Sequence, residues 1–474
     1  MRTSSRSIVL LALTVVATGC VTTRTAQDLD AIRRVTDAVA LPAVEHDEVE
    51  REVRNDVREL LRDELSAEKA ASIAILNNRE LRATLRELGI ARGQYVQAGL
   101  LPNPGFEFDL REPGARGEPL QVELFVEWNL TRAILTAARA RVARALLEAA
   151  RYRAAAAVVE TGYRARAAFF AHQIARARLA TAMRSLEAFA ASRDAARALY
   201  DAGNVAMLDL VTQQAAYESA RVVVAELELE VLSTREALQR VLGLHGEDAG
   251  WTASEAVPGL PEAVAPEAAG TSEDVERKVI RTSFALGEAR SRLEALARET
   301  GIARTEGWLP EITVDAHTER DGARWEIGGG AHISVPIFDQ RQGTRAALES
   351  EFDAQLERYL GLAVDLRSEA RELTGRLRST EARARQMGEV VLPARQRVFE
   401  QTLLQYNAMQ LGTFQLLESQ RAVLDAELRR LEVLREFWTA RAALDALLAG
   451  HRVGVMPATG ATAFGAASDS TGGH

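Results

Sequence analysis

The chain has 474 residues, enough for two or three ordinary domains, yet it carries only 12 Pro, and Ala, Leu, Arg and Glu dominate long stretches, a composition that favours long helices. Charged residues make up 26% and aromatics 5%, which excludes a thick globular core along much of the chain but suits thin helix-on-helix packing. A formal charge of -9 without a basic stripe excludes nucleic acid as a partner, because counterion release needs a basic surface.

Residues 1–20 have the pattern of an export signal: Arg2 and Arg6, then the apolar run Ile8 to Val16, then Ala17-Thr18-Gly19-Cys20. Cys20 is the single cysteine, so no internal disulfide can form, and its position directly after the apolar run points to lipid attachment after cleavage. The match departs from the usual lipoprotein signal at Ala17, where Leu is common; ordinary cleavage nearby is the alternative. Beyond Cys20 no apolar run approaches the ~20 residues of a membrane-spanning helix, so deeper membrane contact must use strands.

Residues 21–64 form a charged N-terminal segment, helical in pieces and broken by Pro42. A first repeat covers 65–250. Ser66 is a good N-cap for an amphipathic helix through Ile73, Leu76, Leu81, Leu85 and Leu88 toward Gly99, stopped by Pro102 and Pro104. Two strand-like stretches follow, Phe106 to Arg111 and Leu120 to Trp128, around the turn-forming run 112–117. From Arg132 to about Ala202 there is no proline, and a helix of ~70 residues would measure about 105 Å. Gly203-Asn204 marks a reversal, and a return helix runs from Leu208 to Leu242.

Residues 251–271, with Pro258, Pro261 and Pro266, read as a linker. A second repeat, 272–450, gives the same order. A helix from Ser272 to Thr305 precedes strand-like Ile312 to Glu319 and Trp325 to Ile337, and a long helix from Gly343 to Met409 is interrupted by Pro393. The return from Phe414 to Leu448 carries Leu417, Leu424, Leu431 and Trp438 seven residues apart, a coiled-coil seam. Residues 451–474, rich in Gly, Ala, Ser and Thr, read as a disordered tail.

Gly99-Leu100-Leu101-Pro102 aligns with Gly307-Trp308-Leu309-Pro310, and Tyr200-Asp201-Ala202 with Tyr406-Asn407-Ala408, at offsets of 208 and 206. The near-constant offset implies duplication, each half supplying two strands. Four strands cannot close a barrel, and an open sheet in lipid leaves edge amides unpaired at several kcal/mol each, so oligomerisation follows. Three copies give twelve strands, an even number suited to a closed membrane barrel, whereas eight would fill with side chains.

The strand faces alternate. Phe106, Phe108, Leu110, Leu120, Val122, Leu124, Val126 and Trp128 form an oily set in the first hairpin, and Ile312, Val314, Ala316, Trp325, Ile327, Ala331, Ile333 and Val335 continue it in the second. The other set carries Glu107, Asp109, Glu123, Glu127, Asp315, Glu319 and Glu326 against Arg111, so a barrel with this face inward has a negative interior favouring cations. A water-facing sheet packed on a helix is the bland alternative.

With these elements the chain resembles the outer-membrane efflux protein family, the TolC-like channels. The resemblance spans about 65–450. It rests on Ala74-Ile75-Leu76-Asn77-Asn78, on 97–104, on Tyr200 through Val205 with Leu208-Asp209-Leu210, and in the second half on Leu309-Pro310, 335–339 and Gly412-Thr413. The resemblance implies a mainly α protein with a small β contribution: a homotrimer whose twelve strands form one barrel in the outer membrane and whose helical hairpins form a periplasmic tunnel. It implies an exit duct of a tripartite pump, partnered by a periplasmic adaptor protein, an inner-membrane pump and outer-membrane lipid. It also implies a constriction at the helical tips, for which Asp209, Gln415 and Glu418 are the candidates, and adaptor contact at Gly203, Asn204, Val205, Leu411, Gly412 and Thr413. Gln415 departs from the acidic residue often found there. Simple helix reversal is the alternative for the turn residues, with Gly203 and Gly412 as its agents.

No enzyme reading is supported, since no nucleophile motif such as G-x-S-x-G is present. The seven histidines are scattered without metal-site spacing, so no metal centre and no cofactor is expected. Gly328-Gly329-Gly330 is followed by strand-like sequence rather than a helix, which favours close packing in a barrel wall over a phosphate loop. Two other functions compete: an exported coiled-coil lipoprotein scaffold of the envelope, and the outer-membrane duct of a protein secretion system.

Overall fold

A computed structural model describes residues 26–36, 47–111, 121–254, 257–261, 271–321 and 324–453. The export-signal region with Cys20, Pro42 and the proposed disordered tail beyond Val453 lie outside the described residues. In chain order the elements are α1 (Ala26–Thr36), α2 (Asp47–Leu60), α3 (Ala67–Asn77), α4 (Arg79–Gly99), β1 (Gly105–Arg111), β2 (Gln121–Asn129), α5 (Leu130–Asp201) and α6 (Met207–Leu242). Then come α7 (Ser272–Thr282), α8 (Phe284–Glu306), β3 (Glu311–Asp321), β4 (Arg324–Ser334), α9 (Gln342–Gln386), α10 (Leu392–Asn407) and α11 (Thr413–Leu448).

The 72 residues of α5 extend about 108 Å at 1.5 Å per residue. Asn129 starts this helix by accepting a hydrogen bond from the Arg132 amide at 2.7 Å. Gly203 ends the turn below it with φ +75, and α6 returns until Gly243, left-handed at φ +68, stops it. The matching hairpin of the second half is α9 and α10 against α11. A π-turn at Met387–Val391 separates α9 from α10, and Pro393, which has no amide hydrogen to give the preceding turn, is the second residue after it.

The amphipathic stretch from Ser66 to Gly99 is two helices, not one. Asn78 is extended (φ -65, ψ 122); its side-chain oxygen caps α4 by accepting from the Leu81 amide at 3.0 Å. Its Nδ2 donates to the Val241 carbonyl, and Asn77 Nδ2 donates to the carbonyls of Leu242 and Gly243, so the Asn pair fastens this break to the end of α6. The second half repeats the device: Ser283 breaks α7 from α8 and caps the latter through Leu286, and the Phe284 amide donates to the carbonyl of Gly450, itself at φ +99.

Helix α5 packs against α3, α4, α6, α8 and α11, and α9 against α7, α8 and α11. One core cluster joins Leu81, Leu85, Leu88, Leu147, Val158 and Phe284, with Ile32 of α1 on the same cluster. Each such fully buried aliphatic contributes roughly 1.5–3 kcal/mol relative to exposure. The seam residues of α11 point inward as the heptad spacing requires: Leu417 packs with Phe189, Ala216 and Ala220, and Leu431 with Ile174 and Val433. The Pro-rich stretch after α6 is held down where it is described. Leu65 exchanges backbone bonds with Thr252 and Ser254, Trp251 is buried, and Trp438 Nε1 donates to the Pro258 carbonyl at 3.1 Å.

All four strands form one antiparallel sheet in the order β1-β2-β3-β4. The junction β2–β3 joins the two halves of the duplication and is pinned at its base by Thr131, whose hydroxyl donates to the Pro310 carbonyl and accepts from the Ile312 amide, both at 2.8 Å. Among the described residues no helix is long and apolar enough to cross a membrane.

Candidate functional site: the polar face of the sheet and the helical tips

Residues directly opposite in a sheet share a face, so the strand register decides which side chains can act together. Asp109 pairs with Glu123, Glu123 with Glu319, and Glu319 with Glu326, which sets four carboxylates in one row across all four strands. The next row holds Glu107, Phe125, His317 and Gly328, and the one after it Gly105, Glu127, Asp315 and Gly330. All seven acidic residues singled out in the strands therefore lie on one face. Like charges directly opposite oppose pairing, and the relief within this row comes from Arg111, 2.7 Å from Asp109 and 3.8 Å from Glu123.

The opposite face carries Phe106, Phe108, Leu110, Leu124, Trp128, Val314, Ile327 and Ile333. Phe106 is 77% exposed and Ile327 86%, so this oily surface has no cover within the chain. Two polar residues also lie on it. Arg320 pairs with Trp325 and lies 5.9 Å from that ring, and the Thr318 hydroxyl donates to the Glu326 carbonyl.

Two histidines, His317 and His332, stand on the polar face, as the alternation of the strands predicts. His332 pairs with Thr313. The His317 ring stacks on Phe125 with centroids 6.4 Å apart, and its Nδ1 is 3.4 Å from Asp315 Oδ2. The glycines opposite make this possible: a Cβ on Gly328 would stand 2.3 Å from His317 Nε2, and one on Gly330 2.8 Å from Asp315 Oδ1. Gly328 and Gly330 thus form a notch over which the side chains of His317 and Asp315 lie. Among the described residues no group of three or more His, Cys, Asp or Glu converges into a metal cage.

At the far end of the hairpins, Gly203 and Asn204 are exposed and Val205 is half-buried; Gly412 is exposed, while Leu411 and Thr413 are half-buried. The agent of the second reversal is Met409 at φ +56, the position equivalent to Gly203, whereas Gly412 has φ -83 and serves as N-cap of α11. Asp209 has a local task, accepting a bond from the Ala206 amide at 3.3 Å at the start of α6. Glu418 is exposed on α11, and its charge, after burial, raises the pKa of Asp425 above the usual carboxylate range. Gln415 is exposed, close to Gly412. Met207, Leu208, Met409 and Phe414 add an exposed apolar set to these tips.

Residues 70–244 match the family described as outer membrane efflux protein. The chain is 26% identical over 389 residues to the cobalt-zinc-cadmium resistance protein CzcC of Cupriavidus metallidurans, covering 81% of this chain and 90% of that one. Its fold is shared with solved structures. The Campylobacter jejuni CmeC outer membrane channel superposes with a TM-score of 0.70 at 16% identity, over 82% of this chain and 87% of that one. The outer membrane protein VceC of Vibrio cholerae superposes with 0.69 at 15% identity, over 84% and 97%.

Proposed function

Because the chain belongs to the outer membrane efflux protein family, we propose that three copies of it close a twelve-stranded barrel in the outer membrane above a periplasmic tunnel of helices. The observation that carries this reading is the sheet, oily on one face and acidic on the other, standing at the end of the two long hairpins. Its edges β1 and β4 run antiparallel, so β4 of one copy can continue the ladder with β1 of the next. Closure satisfies edge amides that would otherwise cost several kcal/mol each in lipid.

The chain makes no bonds in this account; an inner-membrane pump supplies free energy, and a periplasmic adaptor meets the tips at Gly203, Asn204, Val205, Leu411, Gly412 and Thr413. Exposed Met207, Leu208, Met409 and Phe414 supply apolar area for that contact. Asp209, Gln415 and Glu418 narrow the tunnel there, Asp209 adding this to its capping bond. A lipid on Cys20 gives a second hold on the membrane.

Divalent metal cations are the cargo that two observations favour over a secreted polypeptide: the acidic row becomes a ring when repeated three-fold, and a relative is named for resistance to cobalt, zinc and cadmium. Replacing Glu123, Glu319 and Glu326 together by Gln should lower the cation-to-anion permeability ratio several-fold in planar bilayers. An unchanged ratio would place this face away from the conduction path.

A further inference from the structure

We infer that His317 and Asp315 form a station for borderline divalent cations of the zinc, cobalt and cadmium class on the polar face of the sheet, so that the duct itself discriminates among cations. This rests on the reading that the polar face lines a duct, and adds to it a preference that a row of carboxylates alone cannot supply. Carboxylates and water suit magnesium and calcium, whereas a neutral imidazole suits zinc and its neighbours.

The geometry is particular to this pair. Nδ1 of His317 stands 3.4 Å from Asp315 Oδ2, so one ion can be reached by both residues after a small movement of either. The ring is steadied by Phe125, and Nε2 lies over Gly328, where any side chain would collide with it. Gly330 leaves the same freedom to the Asp315 carboxylate, and Glu127, directly opposite Asp315, adds negative charge beside it. Two protein ligands, completed by water, hold an ion less firmly than the three or four of a resident site. That is the requirement of a conduit, in which binding must favour entry and still permit departure.

The test uses full-length protein extracted in detergent, with equilibrium dialysis against zinc in excess magnesium and particle images of the same sample. His317→Gln should lose one zinc per chain relative to wild type, Asp315→Asn should weaken that zinc about ten-fold, and His332→Gln should leave it unchanged. Three-fold particles whose zinc binding is the same in wild type and His317→Gln would overturn the station while leaving the duct standing. Absence of three-fold particles would overturn the duct reading and the station with it.

Discussion

His172 is buried on α5, with Nδ1 3.2 Å from the Thr234 hydroxyl and its ring edge-on to Trp251. Burial first, then the charges of Arg176 and Arg235, lower its pKa from 6.5 to about 4. Below pH 6.5 the unfolded chain therefore takes up a proton that the native ring refuses. Stability contributed here is full above pH 6.5 and falls as pH drops toward 4, by at most about 1.4 kcal/mol per pH unit. Comparing urea midpoints at pH 7 and pH 5 should show a smaller acid loss in His172→Gln than in wild type; equal losses would remove this residue from the acid response. A second residue-scale cost sits at Met409, 95% exposed and left-handed at φ +56 where the first repeat has Gly203. Met409→Gly should relieve up to about 1 kcal/mol of backbone strain, part of it offset by the freer unfolded chain, and slow amide exchange in the last turn of α10. In the sequence Gly412 stands out as the agent of this reversal, because a methionine carries no mark of an unusual conformation; the 206-residue offset of the repeats sets Met409 opposite Gly203.

At the scale of elements, the helical hairpins were legible because long runs lack Pro and Gly, and their ends carry recognisable caps. The break at Asn78 was not, since Asn inside an apolar-periodic stretch is only mildly unfavourable to a helix; the bonds from Asn77 and Asn78 to the end of α6 decide it. Helix α1 was expected only as charged pieces. What holds it is Asp28, fully buried and accepting from Arg92 at 2.9 Å and from Arg151. Asp28→Ala leaves Arg92 without its counter-charge and Arg151 with Glu148 alone, and should cost about 3–5 kcal/mol, releasing α1 to proteolysis. Restoring much of that loss with Arg92→Met would tie the effect to the uncompensated charge; a single variant as stable and protease-resistant as wild type would show that Asp28 does not hold α1.

For the whole molecule, the alternation of strand residues made the acidic face legible, and the 206-residue offset made the two-fold internal order legible. Alternation along β3 also sets Asp315 and His317 on one face, but the pairing of β2 with β3 and the glycine notch opposite that pair depend on register between strands, which periodicity along one strand cannot specify. In the proposed assembly an amphipathic four-stranded sheet with two open edges is one third of a closed barrel. Electron microscopy of the detergent-extracted protein tests it most directly. The expected image is a three-fold particle with a helical shaft on the order of 100 Å long below a short barrel; a monomer or a thin two-stranded rod would rule the closed barrel out.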